Sequence, residues 1–278
     1  MTKRILIPTD FSKQAQAALL TAVKLAKKLN AELFILHSVD IYDGLIPRSY
    51  NPEDPDSREK IMIDRAEELI KEHIASEGIQ DLNPTSIIGK NDILQDILDA
   101  CKTHRIDFIV MGSSGASGLE EMFIGSNTER VVRYSKAPVI VIKDKPIDLD
   151  QKSHFVFASS LKKKDKSALE KAKKVAELLE TNLELLYINT QTNFKTTKDI
   201  FEMISNFLTK EERPSIKVVV HNGNSIEEGI IDYMQEHEEV FYGIGTNGRK
   251  GLARLFNDSI AERLVNRAPS SIICFNID

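Results

Sequence analysis

Residues 108–126 read FIVMGSSGASGLEEMFIGS. The run from Phe108 to Gly112 is apolar and short, which suits a strand covered on both faces of a sheet. It breaks into Gly112-x2-Gly115-x9-Gly125-Ser126, and a helical pattern begins at Ser126. A strand that ends in glycines and leads to a helix start gathers backbone amides and the positive end of a helix dipole, which favours an anion. Glycine lets the backbone approach a phosphate closely and allows positive φ, and Ser126 offers a hydroxyl that also suits a helix cap. A lone Gly-x-x-Gly is a common turn. The longer spacing, closing on Gly-Ser at a helix start, is the more specific signal.

On either side the pattern alternates. Arg4–Pro8 is a short apolar strand, and Lys13–Leu29 sets Ala15, Ala18, Leu19, Ala22, Ala26 and Leu29 on one helical face. Glu32–Val39 reads as a strand, Ser57–Glu77 as a helix and Thr85–Ile88 as a strand. A helix follows over about Asp92–His104, capped by Asn91 or Asp92, and then Phe108–Gly112, a helix over Ser126–Ser135 and a last strand over Val139–Lys143. Apolar strands alternating with helices predict a parallel sheet with helices on both faces. Ligands of such sheets bind beyond the carboxyl ends of the strands, near a switch in strand order. Pro8-Thr9-Asp10, Ser38-Val39-Asp40 and Met111 to Gly115 all end there.

The pattern then repeats. At an offset of 150, Ala18, Leu19, Ala22, Ala26, Leu33 and Leu36 meet Ala168, Leu169, Ala172, Ala176, Leu183 and Leu186. At an offset of 133, Gly112 meets Gly245, Gly115 meets Gly248, and Ser126-x-x-Glu129-Arg130 meets Ser259-x-x-Glu262-Arg263. Insertions in loops account for the change of offset. The join falls near Asp144–Lys152. The second copy departs from the first at two places: Asp258 stands where Gly125 does, and Ser160 stands where Asp10 does. A carboxylate at a phosphate cradle repels an anion. The second copy therefore reads as degenerate at its anion site, with a helix cap or a cation site as other uses of Asp258.

Length and composition agree. The chain has 278 residues, enough for two ordinary domains, and 41% apolar residues, enough for two cores. A net charge of −5 argues against a nucleic-acid footprint. There is no apolar run long enough to cross a membrane, and MTKRILIPTDF carries no signal-peptide pattern, so the expectation is a cytoplasmic protein. Cys101, on the apolar side of its helix, and Cys274, in the last strand, form no disulfide framework. His37, His73, His104, His154, His221 and His237 lack metal-ligand spacing. Lys162-Lys163-Lys164-Asp165-Lys166 reads as a solvated helix start, and Asp43–Arg58 as a loop beside the pocket with the composition of a lid.

The glycine pattern after Phe-Ile-Val-Met-Gly resembles the nucleotide-binding signature of the universal stress protein family. Ile5-Leu6-Ile7-Pro8-Thr9-Asp10, Leu36-His37-Ser38-Val39 and Ala137-Pro138-Val139-Ile140-Val141-Ile142 match it too. The resemblance covers nearly the whole chain in tandem form. It implies an α/β fold of two Rossmann-like, adenine nucleotide alpha hydrolase-like domains, over 1–145 and 152–278, each a five-stranded parallel sheet flanked by helices. It further implies an adenine-nucleotide pocket that takes ATP, with or without Mg2+, in the first domain. Pro8, Thr9 and Asp10 would lie at the adenosine end, and the backbone at Val39 would read the adenine edge. Gly112, Gly115, Gly125 and Ser126 would hold ribose and phosphates, and Met111 would also belong to the nucleotide site. Asn127 stands where the family often has an apolar residue, as an added polar contact or without effect. The last strands would pair, making one chain a pseudo-dimer, and a homodimer of chains is compatible with the sequence. Three functions stay open: a non-catalytic ATP-binding stress or signalling regulator, a slow ATPase or phosphotransfer enzyme, and a nucleotide-independent interaction scaffold. The first leads, because no general base or arginine finger sits in the motif.

Overall fold

The computed structural model describes residues 2–39, 55–113, 125–143, 145–149, 154–237, 240–246 and 260–277. The first half runs β1 (Arg4–Pro8), α1 (Lys13–Leu29), β2 (Glu32–Ser38), α2 (Pro55–Ser76), β3 (Thr85–Gly89), α3 (Ile93–Thr103), β4 (Phe108–Gly112), α4 (Ser126–Tyr134) and β5 (Val139–Ile142). The second runs β6 (His154–Ala158), α5 (Lys166–Leu179), β7 (Asn182–Thr190), α6 (Thr197–Phe207), β8 (Lys217–Gly223), α7 (Ile226–Glu236), β9 (Val240–Thr246), α8 (Ile260–Arg267) and β10 (Ile272–Asn276).

The strands are apolar at consecutive positions because both faces are covered: Ile5, Leu6 and Ile7 are all fully buried. α1 lies close on the sheet because its inner face is mostly alanine. Ser12 starts it by accepting the Ala15 amide, and Asn30, in the left-handed region at φ 49, ends it.

All ten strands form one sheet in the order β3-β2-β1-β4-β5-β10-β9-β6-β7-β8. Within each half every neighbouring pair is parallel. β5 and β10 join the halves as an antiparallel pair, with Ile273 opposite Ile140. Strand order reverses between β1 and β4, and again between β6 and β9, so each half has its own switch point. The two apolar layers, one on each face, run through both halves. One contains Ile7 and Phe157, the other Leu6 and Val156. Polar clasps cross the join: Lys143 Nζ donates to the Asn266 carbonyl at 3.0 Å, and Asn276 Nδ2 to the Ser135 carbonyl at 3.1 Å.

The repeat holds at the level of hydrogen bonds. Thr9 N donates to the Leu36 carbonyl at 2.8 Å, and Ser159 N, 150 residues on, donates to the Leu186 carbonyl at 2.9 Å. Phe11 and Leu161, also at that offset, both take left-handed backbone, at φ 62 and φ 55. The β2–β3 ladder ends at Ser38↔Gly89, whereas β7–β8 continues past Ile188, the counterpart of Ser38, through Asn189↔Asn222 to Thr190↔Gly223.

The join is less free than its charged sequence suggests. Leu149 is buried in the core layer, and Ile147 N donates to Thr21 Oγ1 of α1 at 3.1 Å. Of the segment expected as a lid, residues 43–54 lie outside the described residues, and α2 begins at Pro55.

Candidate functional site

At the first switch point, above the carboxyl ends of β1 and β4, lies a cavity of about 360 Å³. Its β1 side is a tight turn. Thr9 Oγ1 accepts the Phe11 amide at 3.0 Å, and Asp10 Oδ1 accepts the Ser12 amide at 3.0 Å. The left-handed backbone of Phe11 is unfavourable for a residue with a Cβ. Its ring is held between those of His37 and His73, at centroid distances of 4.7 and 5.5 Å. His37 Nδ1 lies 2.8 Å from the Thr9 carbonyl, which can only accept, so Nδ1 carries the proton. Ser38 Oγ donates to the buried Asp96 carboxylate at 2.7 Å, and Asn91 Nδ2 donates to the same carboxylate at 2.9 Å.

The β4 side is stitched shut at its base. Gly125 N donates to the Ser113 carbonyl at 2.8 Å, closing the glycine loop on itself. The buried Thr128 hydroxyl donates to the Gly112 carbonyl at 2.9 Å. A Cβ on Gly112 would lie 2.9 Å from the backbone carbon of Gln14, so glycine is what lets β4 pass the start of α1. The first helical amides of α4, at Ser126, Asn127 and Thr128, have no acceptor within the helix, and all three residues line the cavity. Arg130 fixes that helix from the outside: its two terminal nitrogens bind both oxygens of Asp92, the N-cap of α3, at 2.9 and 2.8 Å. The guanidinium holds the Asp92 carboxyl below the usual carboxylate range.

Of the residues singled out in the sequence, Pro8, Thr9, Asp10, Met111, Gly112, Gly125, Ser126 and Asn127 line this cavity together. Val39 does not. It is buried, and its N–H is spent on the Gly89 carbonyl at 2.9 Å, so that amide is not available to a ligand. Gly115 lies outside the described residues, as do Gly248, Asp258 and Ser259 of the second half. Two local expectations need correction. Ser126 is not the cap of α4: Gly125 holds the N-cap position without a side-chain bond, and Ser126 is the first helical residue, exposed. Nor do Gly112 and Gly125 use positive φ. Gly125 sits at φ −62, and Gly112 serves the close approach of β4 to α1 instead. Sequence reasoning passed over Thr128, Ala15 and Ile93 as lining residues. Thr128 carried a weak signal, since its counterpart at an offset of 133 is Ala261.

The second switch point holds a larger cavity, about 500 Å³. Its turn copies the first, with Ser159 Oγ accepting the Leu161 amide at 3.0 Å. The chemistry around it differs. Asp165 stands where α1 has Ala15, and its buried carboxylate accepts from Ser159 Oγ at 3.1 Å, Ser160 N at 2.7 Å and Ser160 Oγ at 2.6 Å.

Burial pushes the Cys101 thiol up to about 12 and pushes Cys274 up as well, so neither forms a thiolate readily near neutral pH. Among the described residues no group of three or more His, Cys, Asp or Glu is placed to hold a metal ion, and no helix is long and apolar enough to cross a membrane.

The sequence model described as the universal stress protein family matches residues 1–143. The chain belongs to the universal stress protein family. It is 32% identical over 151 residues to universal stress protein YxiE of Bacillus subtilis, a match spanning 51% of this chain and 100% of that protein. It is 31% identical over 161 residues to universal stress protein MJ0577 of Methanocaldococcus jannaschii, spanning 52% of this chain and 97% of that one. Those matches take in about half of this chain. A universal stress protein from Archaeoglobus fulgidus, known as a crystal structure, superposes on nearly all of it: TM-score 0.75 over 99% of this chain and 98% of the other, at 22% identity. The universal stress protein fold thus accounts for both halves, α/β with a parallel sheet in each.

Proposed function

We propose that the first half of this universal stress protein binds an adenine nucleotide, ATP, with or without Mg2+, and acts as a non-catalytic stress-response or signalling regulator in the cytoplasm. The observation that carries this reading is the open set of amides at the start of α4, facing Asp10 across one cavity at the switch point. In this reading the amides of Ser126 to Thr128 receive the phosphates, Asp10 meets the sugar or a magnesium ion, and the Val39 carbonyl meets the base. Nucleotide that binds only the folded chain stabilises it by mass action, which is enough for sensing without chemistry. The antiparallel β5–β10 pair supports the further reading of one chain as a pseudo-dimer of two domains, 1–145 and 152–278.

The test is nucleotide content followed by titration. Ligand is released from purified, denatured protein and identified, and ATP is then titrated into the wild type and into Gly125→Asp. Aspartate is a good N-cap, so α4 is expected to survive the change while a carboxylate faces the phosphate cradle. Adenine nucleotide in the wild type, lost in the variant, is the expected result. No binding by the wild type with magnesium present would overturn the reading.

A further inference from the structure

The second cavity sits where the first does, and its walls are built for something else. Four features remove what a nucleotide would need. Ser160 replaces Asp10, and its hydroxyl is spent on Asp165. Ala261 replaces Thr128, so the bond that fixes the loop base has no counterpart. The matching glycine, Gly245, makes room for a side chain: a Cβ there would lie 2.6 Å from Ile277 Cδ1, and Ile277 lines the cavity. The strand position that could read a base in the first half is Asn189, which here lies inside the extended β7–β8 ladder.

The same changes supply an apolar chamber with a cationic mouth. Ile188, Ile230, Ile244, Leu264 and the aromatic Tyr187 line it. Among the described residues the lining carries three lysines, Lys162, Lys164 and Lys195, against one carboxylate, Asp165; Asp258, the counterpart of Gly125, lies outside them, and the lysines outnumber the carboxylates even when it is counted. One oxygen of the Asp165 carboxylate, Oδ2, accepts three hydrogen bonds from Ser159 and Ser160. Lys162 and Lys164 make no ion pair among the described residues. Lys195 is held at the mouth by its backbone: Asn189 Oδ1 accepts its N–H at 2.9 Å, and Asn189 Nδ2 donates to its carbonyl at 3.3 Å. Its side chain shares its field with Asp199 on α6. An apolar interior with a few placed polar groups is the usual make-up of a small-molecule site, and about 500 Å³ is within the usual size.

From this we infer that the second cavity binds an amphipathic anion, an aliphatic acid whose chain lies on the isoleucine and leucine walls and whose carboxylate meets the three lysines, and that it does not bind a nucleotide. An uncharged chain of the same length binds more weakly, and the site works independently of the first half.

The test uses the full chain and decanoate as the probe, at sub-micellar concentration. The protein contains no tryptophan, so Ile226→Trp places a single reporter at the cavity mouth, where Ile226 is 40% exposed and tolerates enlargement. The expected result is a saturable change in its emission with decanoate, a weaker one with decanol and none with ATP. Adding Lys162→Ala, Lys164→Ala and Lys195→Ala should lower decanoate affinity about tenfold or more and leave decanol unchanged. Three Lys→Arg changes at the same positions should keep the affinity, which separates lost charge from lost folding. Adding Gly125→Asp should leave the decanoate response intact, so failure of this site and failure of the first-half site are read separately. No saturable response, a response insensitive to the lysines, or displacement of decanoate by ATP would overturn the inference.

Discussion

The two cavities share a turn and a place at a switch point, yet they offer opposite means of holding an anion. In the first half the polar surface comes mostly from backbone: amides at the start of α4, held in place by Gly112 and Thr128, with Asp10 as the charged side chain. In the second it comes from side chains, three lysines around an aliphatic chamber. The repeat has kept what the fold requires and changed what only a ligand would feel. The turn serine and the left-handed residue after β6 survive because they shape the chain. In the second half Ser160, bonded to Asp165, stands in place of Asp10, and Ile277 fills the space above Gly245.

The sharpest way to break this comparison is at the paired glycines. Gly112→Ala drives a Cβ against the backbone of α1, which cannot move without shifting the helix. It should cost about 1–3 kcal/mol in chemical denaturation and abolish nucleotide binding. Gly245→Ala meets the tip of an Ile277 side chain, which can rotate, so its cost should stay below about 1 kcal/mol with nucleotide binding unchanged. Equal losses at both positions would contradict the different roles assigned to them.

Thr128→Val comes next. It removes the donor from the buried Gly112 carbonyl and should cost about 1–3 kcal/mol, with ATP affinity falling as the loop base loosens. Ala261→Thr in the second half should not create ATP binding, because Ser160, Asp165 and Ile277 still occupy that site.

The arginine–carboxylate pairs give the next contrast, with Arg130 and Arg263 at matching positions of the two halves. Arg263 and Arg267 both bind the buried Glu227, at 2.6 and 2.7 Å, whereas Arg130 binds a half-exposed Asp92. Glu227→Ala should cost about 1–3 kcal/mol, moderated because the freed arginines reach water. Arg130→Ala should cost under about 1 kcal/mol. That second loss depends on pH in a defined direction. Asp92 has its carboxyl pKa lowered by Arg130, so the pair's contribution is present above the ordinary value of 3.8 and is lost as pH falls through the lower folded value. Wild type and Arg130→Ala should therefore differ at neutral pH and converge in acid, as read by denaturant midpoints.

Much of this was legible in the sequence because it depends on periodicity. Consecutive apolar residues marked the strands, alanines at helical spacing marked α1 and α5, and the offsets of 150 and 133 marked corresponding turns and strand ends. The clustering of Asp10, Gly112 and Gly125 followed from knowing where strands of such a sheet end. What escaped depends on partners far apart in the chain. Nothing near Val39 announces that Gly89 takes its amide, and nothing near Gly245 announces that Ile277, 32 residues on, fills the space above it. The lysines after β6 read as a solvated helix start, which they are. That they line one cavity together with Lys195, which the Asn189 clasp holds, has no local signature.

The most direct measurement is the stoichiometry of ATP on the intact chain by calorimetry, in the wild type and in Gly125→Asp. The account predicts a single nucleotide per chain, absent in the variant. Two nucleotides per chain, or one that survives Gly125→Asp, would contradict the division of labour between the two halves.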